Sequence, residues 1–66
     1  MTANDFLSVH LNWKPNKDTR FYYCYFNDVL LLLRMNNFPD EPLYTFIYLL
    51  DIIDIEDLPS NWEIEH

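Results

Sequence analysis

Cys24 and His10 are the residues whose chemistry comes closest to that of a nucleophile and a general base. A cysteine attacks as a thiolate, which forms where the surroundings are electropositive and partly open to solvent. Cys24 instead stands between Tyr23 and Tyr25 in a run of aromatic residues, where a thiol becomes buried and inert. We therefore expect a core cysteine, and the sequence predicts no catalytic residue and no enzyme.

Carboxylates are the next candidates for chemistry, because Asp51, Asp54, Glu56 and Asp57 lie close together in the sequence and could hold a hard cation. Calcium loops use a glycine for their tight turn, and this chain has no glycine. No cysteine or second histidine stands at zinc-ligand spacing from a histidine. We interpret the carboxylates as a solvated acidic face and expect neither a metal nor another cofactor.

The charge of the chain is −7 and is unevenly distributed. Residues 1–38 hold all four basic groups and three acids, whereas residues 39–66 hold eight acids and no Lys or Arg. Phosphate backbones and anionic membranes repel such a surface, so we expect neither nucleic acid nor membrane as a partner. The longest apolar run is too short to cross a bilayer, and no signal-peptide pattern opens the chain. One cysteine suits a reducing compartment. We therefore expect a cytoplasmic location.

The element that must organise these residues is the stretch 20–36, in which residues 21–26 are almost all aromatic and residues 29–35 almost all aliphatic. Aromatic and branched side chains favour strands, and Asn27-Asp28 suits a type I′ turn with positive φ. The predicted hairpin pairs residues whose numbers sum to 55, such as Cys24 with Leu31. Both of its faces are apolar, so each needs a cover. The rival interpretation is a short helix over 28–37, capped by Asn27.

The flanking segments predict further strands. Residues 6–13 alternate between apolar and polar after a frayed start at 1–5, and residues 14–19 have the composition of a turn. Residues 43–50 have the composition of a strand, although a helix would also give them an apolar stripe. Residues 51–57 alternate again as a last strand. Residues 60–66 predict one helical turn with a capping box, from which Trp62 folds back onto the core.

Two segments, FPDEPLYT at 38–45 and IDIEDLPSNW at 53–62, resemble segments of small, acidic, uncharacterised bacterial proteins. The resemblance covers about a third of the chain. It implies a small autonomous domain, and it brings no activity and no functional residue with it.

These patterns together predict a single all-β domain over residues 1–66, built as a small antiparallel meander of four to five strands. The alternative is an α+β fold, in which one helix at about residues 42–53 lies on a three-stranded sheet.

A chain this small, with so much apolar surface, is expected to work as a non-enzymatic interaction module. The first hypothesis is an acidic inhibitor, immunity or adaptor-type protein that binds a basic protein surface, with nucleic-acid mimicry as a special case. The alternative is a structural homo-oligomer subunit that self-associates. The candidate interface residues are Tyr23, Tyr25, Arg34, Asp51, Asp54, Glu56, Asp57 and Trp62.

Overall fold

The computed structural model describes residues 1–18 and 20–65, and nearly half of them belong to one six-stranded sheet. A 3₁₀ helix, Ala3–Ser8, precedes the strands, which are β1 (Leu11–Pro15), β2 (Phe21–Phe26), β3 (Val29–Met35), β4 (Tyr44–Tyr48), β5 (Asp51–Ile55) and β6 (Trp62–Ile64). The spatial order is β5-β4-β3-β2-β1-β6. The predicted all-β class is confirmed, with six strands instead of four or five. The alternative helix at 42–53 is wrong, because β4 and β5 occupy that segment.

The hairpin of β2 and β3 forms the centre of the sheet with the predicted register. All six of its residue pairs have numbers that sum to 55, from Phe26 opposite Val29 to Phe21 opposite Arg34. Asn27 has φ 50° and Asp28 has φ 65°, as a type I′ turn requires. The interpretation of residues 28–37 as a helix is therefore wrong.

The inner face of the sheet holds the core, which includes the fully buried Trp13, Leu31, Leu33 and Phe46. The ring centroids of Trp13 and Phe46 lie 5.9 Å apart, although β2 and β3 separate their strands. The sheet must therefore curl around this face. Phe6 of the 3₁₀ helix is 1% exposed and fills the hollow that the curled sheet leaves on its inner face. The ring centroids of Phe6 and Tyr48 lie 4.7 Å apart.

The start of the chain corrects the prediction of a frayed segment followed by a strand at 6–13. Residues 3–8 are helical, Ala3 is buried, and the strand begins only at Leu11. The backbone N–H of Thr2 donates to the Asp5 carboxylate at 2.7 Å, which closes the first turn of the helix. Helical geometry lets Phe6 fill the hollow of the curled sheet, and this long-range packing outweighs the local alternation of residue types.

The end of the chain corrects the prediction of a capped turn over 60–66, of which His66 lies outside the described residues. Residues 62–64 form β6, which pairs in parallel with β1, with Leu11 opposite Trp62. The indole N–H of Trp62 donates to the Phe6 carbonyl at 3.0 Å. Strand pairing to the open edge of β1 buries the tryptophan and satisfies its N–H, so the sheet is mixed and no longer a simple meander.

Candidate functional site

The outer face of the sheet carries a contiguous set of apolar side chains, which we call the outer patch. Cross-strand pairing places Leu32 between Tyr23 on β2 and Ile47 on β4, and places Ile52 of β5 beside Ile47. Tyr25 is 66% exposed, and its partner Leu30 is also exposed. The outer patch therefore crosses four neighbouring strands; its members are Tyr23, Tyr25, Leu30, Leu32, Ile47 and Ile52.

A groove of about 420 Å³ lies over the β2–β3 part of the outer patch. Asn16 and Phe21 line it together with patch residues from both strands. The rings of Tyr23 and Tyr25 meet edge to face, with centroids 6.2 Å apart. Such a groove offers aromatic faces for packing and phenol groups that can donate or accept a hydrogen bond.

The turn between β4 and β5 extends the apolar surface at one end of these strands. Tyr48 pairs with Asp51, so Leu49 and Leu50 form a two-residue turn. Leu49 has φ 54° and is 67% exposed, while Leu50 is 97% exposed. A positive φ at the first turn position favours glycine, which this chain lacks. Sequence reasoning placed both leucines in a strand, because neither is a typical turn residue.

A polar network borders the outer patch on the opposite side from that turn. Arg34 Nη1 donates to Asn36 Oδ1 at 3.0 Å, and Asn36 Nδ2 donates to Thr45 Oγ1 at 2.7 Å. Arg34 and Thr45 are cross-strand partners on the outer face. The network satisfies the largely buried Asn36 side chain and holds the guanidinium at the border of the apolar surface.

A row of exposed carboxylates follows β5, which is an edge strand of the sheet. We call Asp51, Asp54, Glu56 and Asp57 the acidic edge. Asp54 pairs with Thr45 on the outer face, whereas Asp51 lies on the inner side and accepts the Ala3 N–H at 3.3 Å. Within residues 1–18 and 20–65, no lysine or arginine forms an ion pair with these carboxylates. The acidic edge therefore keeps its negative charge uncompensated by neighbouring cations.

The structure separates the predicted interface residues into three groups. Tyr23, Tyr25, Arg34 and Asp54 share the outer face, while Asp51, Glu56 and Asp57 lie along or beyond the sheet edge. Trp62 is 5% exposed, which confirms the prediction that it folds back onto the core and corrects its prediction as an interface residue. Its ring packs against Trp13 and Phe46 in the core, so it cannot anchor an interface.

Cys24 and His10 are kept apart by the fold. The Cys24 side chain is buried on the inner face, and this burial raises the pKa of its thiol to about 11. His10 lies outside the core, and its Nε2 is 3.8 Å from Glu63 Oε2. The thiol is therefore protonated at neutral pH, and it is buried whereas His10 is exposed.

Three further observations bear on the site. Across the described residues, no cluster of three or more His, Cys, Asp or Glu side chains has an arrangement that could hold a metal ion. No helix in the same part of the chain is long and apolar enough to cross a membrane. Comparison of the chain with protein-family models, curated proteins and solved structures found no match.

Proposed function

We propose that this chain is a non-enzymatic interaction module that docks on a basic surface of another protein, in the manner of an inhibitor, immunity or adaptor protein. The outer patch is the observation that carries the proposal. The inner face of the sheet is closed by the chain's own helix and curled strands, whereas the outer face is left open. Contiguous exposed apolar surface of this kind marks interaction sites in soluble proteins.

Tyr25 is the residue best suited to anchor a partner. It stands in a central strand, is 66% exposed, and packs edge to face on Tyr23. A tyrosine buries a large area on binding and loses little conformational entropy, since it has only two side-chain torsions. The neighbouring ring already restricts its position, which lowers that cost further.

The acidic edge supplies the charge that selects a basic partner. Its carboxylates stand beside Ile52 of the outer patch, and the whole chain carries −7. Uncompensated charge next to an apolar contact surface accelerates encounter with an oppositely charged protein and disfavours wrong partners. We therefore assign apolar anchoring to the outer patch and steering to the acidic edge.

Self-association is the second candidate function, and one observation favours it. The outer face itself is not uniformly acidic, because Lys14 and Arg34 stand on it along with Asp54. Two copies could therefore meet through this face without strong repulsion between the contacting surfaces. An apolar contact of this kind would be nearly insensitive to salt, in contrast to steered binding of a basic partner.

The test compares matched bait proteins in a lysate of the source cells. Tyr25→Ser removes the proposed anchor, and Phe38→Ser removes a similarly exposed aromatic in the loop between β3 and β4. A protein retained by wild type and Phe38→Ser but lost by Tyr25→Ser is then purified for titration calorimetry. Tyr25→Ser should weaken its binding by about 2 kcal/mol or more. Asp54→Asn with Asp57→Asn should mainly slow association and reduce its salt dependence.

Light scattering of the pure protein separates the two candidates. A salt-insensitive dimer that Tyr25→Ser dissociates would favour self-association. The interaction-module proposal is refuted if the pure protein is strictly monomeric and if Tyr25→Ser loses none of the proteins that wild type captures.

A further inference from the structure

We infer that the open edge of β5 is a docking site for an extended segment of the partner, which adds to the sheet as a seventh strand and carries two basic residues three positions apart. The inference rests on the proposed function, because it specifies how a basic partner engages the acidic edge. The edge shares only Ile52 with the outer patch and lies apart from the Tyr25 anchor on β2, so the two can be tested separately.

The hydrogen-bonding pattern of β5 leaves one side of the strand unpaired. A two-residue turn closes on a hydrogen-bonded pair, here Tyr48 and Asp51, and such pairs alternate with non-bonded pairs along an antiparallel ladder. Ile52 faces Ile47 in a non-bonded pair, and so does Asp54 with Thr45. The backbone N–H and C=O groups of Ile52 and Asp54 therefore point away from β4, toward the open edge.

Of the devices that protect sheet edges, β5 has only charge, in Asp51 and Asp54. Natural edge strands are often blocked by proline, lysine, a bulge or a very short length. β5 has five residues in uninterrupted register with β4, and its sequence DIIDI contains neither proline nor lysine. The other edge strand, β6, has only three residues. β5 is thus the edge better suited to accept a strand.

A groove of about 290 Å³ runs between this edge and the 3₁₀ helix. Thr2, Ala3 and Asn4 line one side, and Asp51, Ile52 and Ile53 line the other. Side chains of an added strand that point to the inner side of the sheet would enter this groove. The edge therefore offers backbone pairing together with a pocket for alternate side chains, the two components of recognition by strand addition.

Charge decides the chemistry of the added strand. A second copy of β5 would bring the same carboxylates to the edge, and like charges on neighbouring strands destabilise pairing. The occupant must instead place basic residues opposite Asp51 and Asp54 and apolar residues opposite Ile52 and Ile53. In either strand direction, this gives two basic residues three positions apart with two apolar residues between them.

The experiment titrates the ¹⁵N-labelled chain with two synthetic peptides at low salt. The first is TVKVVKVT, which has the required spacing; the second has the same sequence and charge, but N-methyl groups on its valines prevent strand pairing. The first peptide should bind at least about tenfold more tightly, and the amides of Ile52 and Asp54 should shift and exchange at least about tenfold more slowly. Equal affinities, no binding at millimolar peptide, or shifts centred on the outer patch would overturn the inference.

Matched variants test the backbone contact itself. Ile52→Ala removes the isoleucine side chain and keeps the outward N–H, whereas Ile52→Pro removes both. The proline variant should therefore bind the first peptide at least about tenfold more weakly than the alanine variant. If Ile52→Pro does not fold, a synthetic chain methylated at the Ile52 nitrogen replaces it. Equal binding by the paired variants would contradict strand addition. Tyr25→Ser should leave peptide binding unchanged, so loss of the partner in that variant concerns the proposed function alone.

Discussion

Cys24 lies opposite Leu31 in the central hairpin and is 7% exposed. This position disfavours the thiolate, since the charged form would have to exist in an apolar environment. The Tyr44 hydroxyl is affected in the same way: burial raises its pKa, with a smaller contribution from nearby Tyr22. Both groups make the folded chain sensitive to alkaline pH.

The first prediction is that the free energy of unfolding falls as pH rises from about 9 to about 11. Burial raises the pKa of Cys24 from 9.0 to about 11, so the unfolded chain loses this proton first and ionisation favours unfolding. With solvent screening, this difference contributes on the order of 1–2 kcal/mol. Urea titrations across this pH range should show a shallower decline for Cys24→Ala than for wild type. Tyr44→Phe removes the contribution of the Tyr44 hydroxyl. If neither variant changes the decline of the unfolding free energy with pH, these two groups do not cause it.

Two hairpin turns show how differently residues tolerate positive φ at the scale of an element. Within the described residues, Asn27, Asp28 and Leu49 are the ones with positive φ. Short polar side chains accept this conformation at modest cost, whereas Leu49 has no such compensation. The second turn is therefore strained, and its leucines are exposed beside the acidic edge.

The second prediction is that Leu49→Gly stabilises the protein by about 1 kcal/mol. Glycine removes the steric cost at φ 54°, which outweighs the greater entropy that it gives the unfolded chain. Leu50→Gly is the matched control, because Leu50 has no positive φ and should only lose stability. Asp28→Gly should give a smaller gain than Leu49→Gly. Thermal melts measure the stability of the variants. A lower midpoint for Leu49→Gly than for Leu50→Gly would contradict the inference that the turn is strained at Leu49.

Charge balance matters at the scale of the whole molecule. Eleven acids and four basic residues share one small fold, and among the described residues the one close contact between a basic and an acidic side chain is that of His10 with Glu63, both mostly exposed. Exposed pairs of this kind contribute little. Repulsion among the remaining carboxylates therefore opposes the compact state.

The third prediction is that moderate salt stabilises the chain at neutral pH. Most of the gain should come between about 0.01 M and 0.15 M, where the screening length falls from about 30 Å to about 8 Å. Thermal midpoints at increasing sodium chloride concentrations measure this stabilisation. A combined variant, Asp54→Asn with Asp57→Asn, should be more stable at low salt and less responsive to salt. A midpoint that is flat or falls over this range would mean that repulsion is not significant.

The sequence by itself determined the features that depend on neighbouring residues. Aromatic and aliphatic runs around Asn27-Asp28 predicted the central register, because turn chemistry and strand propensity act locally. That register in turn put Tyr23, Tyr25 and Arg34 on one face and Cys24 on the other, as the structure confirms. The strand character of β4 was also predictable from its composition.

Only the tertiary structure decided which segments close the core and which surfaces stay open. The 3₁₀ helix forms where Phe6 can fill a hollow made by distant strands, and β6 forms because β1 offers an unpaired edge to Trp62. The turn at Leu49 follows from the pairing of β4 with β5, against the preference of leucine itself. Burial and edge pairing join residues far apart in the chain, so local patterns could not show that Trp62 reaches the core as part of a strand paired with β1 or that β5 is free at its outer edge.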